Sequence, residues 1–399
     1  MNLDSAEPSN TPHGGLGLVM GGGGARAAYQ VGLLCALARR YPRLEVPILT
    51  GVSAGAINAA FLASHPGTFQ EGVEDLARLW SRLTLAQVIR VDGRSLFWNV
   101  FRWGLKLVSG GRIGEANLRS LVDTAPLQRF LHTHLPNENG RLVGIQRNLE
   151  AGRLRAVALS TSSYSTGRSI TWVEGVSDIQ PWERPQREAR LDQLTVDHVM
   201  ASSALPLFFP AVRLGDEWHG DGGIRLTAPL SPALHLGASR LLAISTRHRR
   251  SIQEESERDI PGYPPPAQVA GSMLNAVFLD LLDQDAHRLE ALNELLEPLG
   301  GEARRGLRPV ELLTMRPSRD LGRMAGEHEE ALPPAFRFLT RGLGTKETRS
   351  PDLLSFLLFD PGYLKQIMAL GEVDGEAQMS SFETLLQETP QGSGAPTTG

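Results

Sequence analysis

Gly51-Val52-Ser53-Ala54-Gly55 stands between the short apolar run Val46 to Thr50 and the helix-forming run Ala56 to Ala63. This reads as a strand, a tight turn with a serine at its apex, and a helix. A nucleophile on so sharp a turn needs tiny neighbours two positions to either side, because a side chain there collides with the adjoining backbone. Gly51 and Gly55 meet that need. GxSxG alone is a short pattern, and a chain with 42 glycines among 399 residues can produce it by chance, so its meaning rests on its flanks.

A second strand, turn and helix lies about thirty residues upstream: Leu16 to Met20, then Gly21-Gly22-Gly23-Gly24-Ala25-Arg26, then Ala27 to Arg40. Four successive glycines leave backbone N–H groups uncovered at a helix N-terminus, where the helix dipole favours negative charge. Such a loop reads as a phosphate cradle, as an oxyanion hole, or simply as a tight turn. A dinucleotide site needs an acidic residue at the end of the second strand, but Glu45 sits at its beginning. A phosphate loop needs Gly-Lys-Ser/Thr, but the chain has Ala25-Arg26-Ala27. The oxyanion hole is the functional reading that remains. In a parallel sheet, neighbouring strands deliver both loops to one carboxyl edge.

A serine hydroxyl is a poor nucleophile until a base takes its proton. The candidate base is Asp221, in His219-Gly220-Asp221-Gly222-Gly223. Asp-Gly is also a common hairpin signal. A hairpin turn already exists at Gly215-Asp216, between Ala211 to Leu214 and Glu217 to His219, which leaves the later cluster free for chemistry.

With these elements in hand, the chain resembles the patatin-like phospholipase family. Leu18 to Arg26 looks like its glycine-rich motif, Gly51 to Ala59 like its nucleophile turn, and Asp221-Gly222-Gly223 like its aspartate motif. Ala201-Ser202-Ser203-Ala204-Leu205-Pro206 looks like a further family segment. All four fall in the family's order between residue 16 and about 245. The resemblance implies a three-layer α/β fold of the patatin-like (FabD/lysophospholipase-like) kind, with a mainly parallel central sheet. It also implies a lipid acyl hydrolase with a Ser53–Asp221 dyad, no catalytic histidine and no cofactor. Gly22, Gly23 and Gly24 would hold the oxyanion, with Arg26, Gly51, Gly55, Gly222 and Gly223 as motif residues. Ala27 departs from the final glycine of GxGxxG, a change of one methyl group. For the dyad to work, burial must raise the aspartate's pKa from its ordinary value near 3.9.

Two rival readings use the same motifs. A Ser-His-Asp carboxylesterase would draw on His235, His248, His287 or His328, all of which follow Asp221. That fold, however, places several strands before its serine, whereas Ser53 follows only the second here. A catalytically idle lipid-binding or regulatory protein on the same fold is the other. His219 reads as a strand residue. Ser202 lacks a lysine three residues on, which excludes the SxxK scheme and leaves it a role in shaping the pocket.

Composition points to a soluble cytoplasmic protein that meets a bilayer only from its inner face. The polar leader, residues 1–15, lacks a charged start followed by an apolar stretch. A formal net charge of -4, from 40 basic and 44 acidic residues, gives no reason to expect nucleic acid. Cys35 is the sole cysteine, so no internal disulfide forms. His132 and His134 are separated by one residue, no HExxH occurs, one cysteine cannot build a thiolate site, and no metal is expected. Ser95 to Val108, rich in Leu, Phe and Trp but broken by Arg102 and Lys106, reads equally as a peripheral membrane contact or lid and as a packed helix. Arg247, Arg249 and Arg250 precede Glu254, Glu255 and Glu257 and read as a solvated loop.

The pattern divides the chain into a catalytic domain over 16–245, a mostly helical C-terminal extension over 246–387, and a disordered tail over 388–399. Apolar residues from Met273 to Leu296 predict one long amphipathic helix. Val310 to Met315 predicts a strand that joins the sheet edge, and Leu353 to Phe359 and Tyr363 to Leu370 predict helices. Phospholipid or lysophospholipid is the expected substrate; headgroup, acyl position and oligomeric state are not fixed by the sequence.

Overall fold

Strand β1 (Leu16–Met20) is apolar or glycine at every position and buried along its whole length, as a strand covered on both faces must be. The computed structural model describes residues 15–90, 120–251, 254, 256, 262–299, 303–304, 306–348 and 350–387. From β1 the chain makes a 3-10 turn over Gly24–Ala27 and enters helix α1 (Ala28–Arg40). Strand β2 (Ile48–Val52) leads through Ser53 into α2 (Ala54–Ser64), and α3 (Phe69–Arg82) follows, opened by a Thr68/Glu71 capping box. Strands β3 (Ala156–Ser163), β4 (Ser169–Gly175), β5 (Glu183–Arg184) and β6 (Arg187–Leu191) come next. Helix α4 (Val196–Ser202) precedes the hairpin β7 (Val212–Leu214) and β8 (Glu217–Asp221), whose turn is the predicted Gly215-Asp216. Strand β9 is Arg240–Ile244 and β10 is Glu311–Met315.

The ten strands form one mixed sheet in the order β10-β9-β1-β2-β3-β4-β6-β5, with β8 added to β3 and β7 to β8. The five strands from β10 to β3 run parallel. β4 then pairs antiparallel with β3, and β6 parallel with β4. Helices cover the sheet, α1 being buried along nearly its whole length. This is the expected mainly parallel α/β fold with helices on both sides.

The C-terminal part is bound into that sheet. β10 takes the edge beside β9, in register from Glu311 opposite Arg240 to Met315 opposite Ile244. Helices α5 (Pro266–Phe278) and α6 (Asp280–Leu296) stand where the apolar periodicity predicts one helix. The chain breaks at Leu279, a buried residue with ψ still helical but φ at -114°. Asp280 and Asp283 then lie in the first turn of α6, where the helix dipole favours them. The break buries Phe278 against Leu205 and Phe356. The predicted helices near 353 and 363 are α7 (Asp352–Leu357) and α8 (Pro361–Ala377). α8 packs along α1, where Tyr29 donates to Asp374 at 3.1 Å and Gly32 leaves room for the backbone of Met368. Ser95 to Val108, the leader and the tail fall outside the described residues, except for Gly15. Among the described residues, no helix is long and apolar enough to cross a membrane.

Candidate active site

Strand register brings Ser53 to Asp221. β2 pairs along one edge of β3 as far as Val52 opposite Ser160. β4 holds the other edge of β3 from Ala156 to Ser162. β8 runs antiparallel to β3 with Asp221 opposite Thr161 and His219 opposite Ser163, so it must continue the edge that β2 leaves at Ser53. Two strands running toward each other along one edge therefore meet with Ser53 just past the end of one and Asp221 at the end of the other.

Ser53 has φ 58° and ψ -133°, a backbone region that costs a non-glycine residue about 1 to 3 kcal/mol. Neighbouring groups hold it there. Its N–H donates to Ser202 Oγ at 3.1 Å, Ser202 Oγ donates to the Ser160 carbonyl at 2.7 Å, and Ser203 Oγ donates to the Ser53 carbonyl at 3.0 Å. Ser202 thus shapes the site by gripping the backbone of Ser53. Gly55 is required because a Cβ there would run into the carbonyl oxygens of Met20 and Gly21.

The glycine loop passes directly over Ser53. A Cβ on Gly22 would lie 3.0 Å from Ser53 Cβ and 3.6 Å from its Oγ. Gly23 and Gly24 have φ of 148° and 57°, values open to glycine and hostile to other residues. The loop is tied down by Thr246, whose Oγ1 donates to the Gly22 carbonyl at 3.0 Å. Below it runs a buried polar chain: Gln30 Nε2 donates to the Gly21 carbonyl (2.8 Å), Asn58 Nδ2 to Gln30 Oε1 (3.0 Å) and Trp80 Nε1 to Asn58 Oδ1 (2.8 Å). It couples the loop to the helix that carries Ser53.

Asp221 is fully buried. Its Oδ1 accepts from the Gly223 N–H at 2.9 Å, while Oδ2 has no partner in hydrogen-bond geometry. Burial pushes its carboxyl up to about 7, against the opposing pull of the Ser53 hydroxyl and the Gly223 N–H. The Ser53 hydroxyl is therefore near the carboxylate but loosely aligned with it. Gly222 packs under the carbonyl of Ser160, and Gly223 against the Phe278 ring.

An apolar cavity of about 50 Å3 leads from Ser53. Ile57, Trp80, Leu205, Phe278, Phe356 and Phe359 are among its lining residues. The histidines open to a triad lie elsewhere. His235 stacks on Trp182 with centroids 4.6 Å apart, His248 sits 3.0 Å from the Pro317 carbonyl, His287 faces Glu290, and His328 pairs with Gln366 at 2.8 Å. None of them lines the cavity. His219 is a buried strand residue whose Nδ1 lies 3.1 Å from Thr161 Oγ1. Among the described residues, no group of three or more His, Cys, Asp or Glu side chains is arranged to hold a metal.

Sequence reasoning overlooked several groups. Gln30 and Asn58 had a readable signal, since each is a lone amide in an otherwise apolar helical stretch. Phe278 and Phe356 had none, because their approach to Ser53 is set by how the C-terminal helices fold back.

The fold and site define a three-layer α/β protein with its serine at a strand-turn-helix apex on the carboxyl edge of the sheet. The chain belongs to the patatin-like phospholipase family, whose model matches residues 18–234, and this membership supports lipid acyl hydrolase activity. No curated protein matches the chain. Among solved structures it is similar to VipD from Legionella pneumophila, at 14% identity over 93% of this chain and 67% of that one, with a TM-score of 0.39. Human GIVD cytosolic phospholipase A2 matches at 13% identity over 93% of this chain and 60% of that one, with a TM-score of 0.46. The type III effector ExoU of Pseudomonas aeruginosa matches at 16% identity over 90% of this chain and 54% of that one, with a TM-score of 0.31. The chain thus spans 54% to 67% of these longer proteins.

Proposed function

We propose that the protein hydrolyses acyl esters of phospholipids or lysophospholipids, with Ser53 as nucleophile, Asp221 as base and the Gly22 to Gly24 backbone as oxyanion donor. The observation that supports this most is the meeting of Ser53 and the buried Asp221 along β3, beneath the glycine loop and at the head of an apolar cavity. Ser53 Oγ attacks the ester carbonyl and passes its proton to the Asp221 carboxylate. The carbonyl π electrons move to oxygen, and the resulting oxyanion is held by the loop N–H groups and the N-terminus of α2. Collapse expels the glycerol-side alcohol, which takes the proton from Asp221 and leaves an acyl-Ser53 ester. Water then attacks that ester, giving its proton to Asp221, and the fatty acid departs as Ser53 is reprotonated. The apolar lining of the cavity suits the acyl side of such an ester, next to the carbonyl.

Incubation with a long-chain alkyl fluorophosphonate tests the nucleophile. The expected result is one adduct per chain, mapped by peptide mass spectrometry to the peptide containing Ser53. An adduct on another serine would remove Ser53 from the role.

The pH profile tests the base. The carboxylate is the active form, so kcat/KM on a soluble nitrophenyl ester is expected to fall as pH drops through an inflection near 7, the raised value for Asp221. A profile flat down to pH 5 would count against Asp221.

A further inference from the structure

The two helices that close the site from behind, α5 and α7, both come from beyond residue 234, where the family match ends. Asp352, at the first position of α7, has one carboxylate oxygen on each of two elements. Oδ1 accepts from Arg26 Nη2 at 2.5 Å, and Oδ2 accepts from Asn275 Nδ2 at 2.8 Å. Arg26 lies two residues past Gly24, in the 3-10 turn that ends the glycine loop, and Asn275 lies one turn before Phe278 on α5. The Arg26 side chain is 4% exposed and that of Asp352 13%. Ser355 Oγ accepts from Arg26 Nε at 2.7 Å, and the guanidinium lies 4.7 Å from the centroid of the Phe356 ring. The Phe356 carbonyl fills the space where a Cβ on Gly24 would stand.

A loop of glycines has little conformational preference of its own. Donors that stabilise an oxyanion work by being fixed before the charge develops. Something outside the loop must fix them, and the nearest rigid, charged attachment is the pair Arg26–Asp352. An uncharged carboxamide at 352 keeps the shape but loses the charge-assisted bond that fixes the guanidinium.

We infer that Asp352 is a positioning residue for the ester hydrolysis proposed above: through Arg26 it sets the glycine loop against Ser53. The inference rests on that proposal and adds a residue from the C-terminal part to the machinery.

Steady-state kinetics on a soluble nitrophenyl ester, with full-length protein, provide the test. Asp352→Asn is expected to lower kcat about tenfold or more, because small displacements of reacting groups are costly, with KM changed less than about threefold. Asp352→Glu should recover part of the loss. The control is Glu372→Gln/Glu376→Gln, which removes the exposed partners of Arg39 and so loosens α8 on α1 away from the site; its kcat should equal that of wild type. If Asp352→Asn does not fold, Ser355→Ala serves instead, since it removes the acceptor for Arg26 Nε, along with a local bond from Ser355 Oγ to the Asp352 carbonyl, and leaves the Asp352 carboxylate in place. A kcat loss of about threefold at constant KM is expected there. Wild-type kcat in whichever of these two variants folds, or an equal kcat loss in the control, would overturn the inference and leave the proposed function intact. Absence of Ser53-dependent turnover in the wild type would overturn both.

Discussion

Asp221→Asn is expected to reduce kcat for ester hydrolysis by about a thousandfold or more while raising thermal stability. The loss should match that of Ser53→Ala, and the double variant should be no worse than either single one, because a nucleophile and its base act as a unit. An asparagine at 221 can still accept the Gly223 N–H, but it cannot take the Ser53 proton. The stability gain follows from the same burial that makes the base useful. The carboxyl stands at about 7 in the folded protein against 3.8 for the free group. The native state therefore binds this proton more tightly than the unfolded chain does. The stability contributed here is greatest below about pH 4, falls as pH rises from about 4 to 7, and stays low above that. At roughly 1.4 kcal/mol per pKa unit, the cost of the buried charge at pH 8 is at most about 4 kcal/mol. Removing it should raise Tm at pH 8 by about 3 °C or more, and the gain should vanish near pH 4. Calorimetry at the two pH values, beside nitrophenyl ester turnover, checks both halves. An active Asp221→Asn protein would end the dyad assignment, and one less stable than wild type at pH 8 would mean that the buried charge is compensated by groups other than Ser53 and Gly223.

Gly55→Ala carries the second large effect, on the fold as well as the chemistry. Overpacking a core usually costs about 1 to 3 kcal/mol because side chains give way. Here the obstacles are the carbonyl oxygens of Met20 and Gly21, at the end of a strand hydrogen-bonded on both sides. They can yield only if α2 moves away from β1, and α2 begins at the residue after Ser53. A loss of about 3 kcal/mol or more is expected, together with a drop in kcat of about a hundredfold in whatever protein remains folded. Gly262→Ala is the matched control, because nothing lies within 4 Å of its Cβ position. Denaturant unfolding of the two variants measures the difference. Wild-type stability in Gly55→Ala would mean that the approach of α2 to β1 is looser than these contacts require.

Much of the architecture was legible because its signals are local. A short apolar run such as Leu16 to Met20 reads as a strand buried on both faces, and the glycines that follow mark the bend into the next helix. The hairpin at Gly215-Asp216 and the edge strand at 311–315 were likewise readable from turn chemistry and apolar runs. The single helix expected from Met273 to Leu296 failed for a tertiary reason. The apolar period runs unbroken through Leu279, and only the packing of Phe278 against Leu205 and Phe356 marks the break. Ser203, Gln30 and Thr246 bond to backbone atoms of Ser53 or the glycine loop, and such partners leave no imprint on spacing.

The sequence by itself determined the strand-turn-helix units and the glycines their turns demand, and it supplied the candidates proposed above as alcohol, carboxylate and amide-rich loop, because each depends on residues within a few positions of one another. Only the tertiary structure decided that β8 takes up the edge of β3 where β2 stops, so that Ser53 and Asp221 meet, and that α5 and α7 return to back the glycine loop through Asp352. Those are contacts between residues far apart along the chain. They are fixed by strand register and by complementary buried surfaces, which no local pattern encodes.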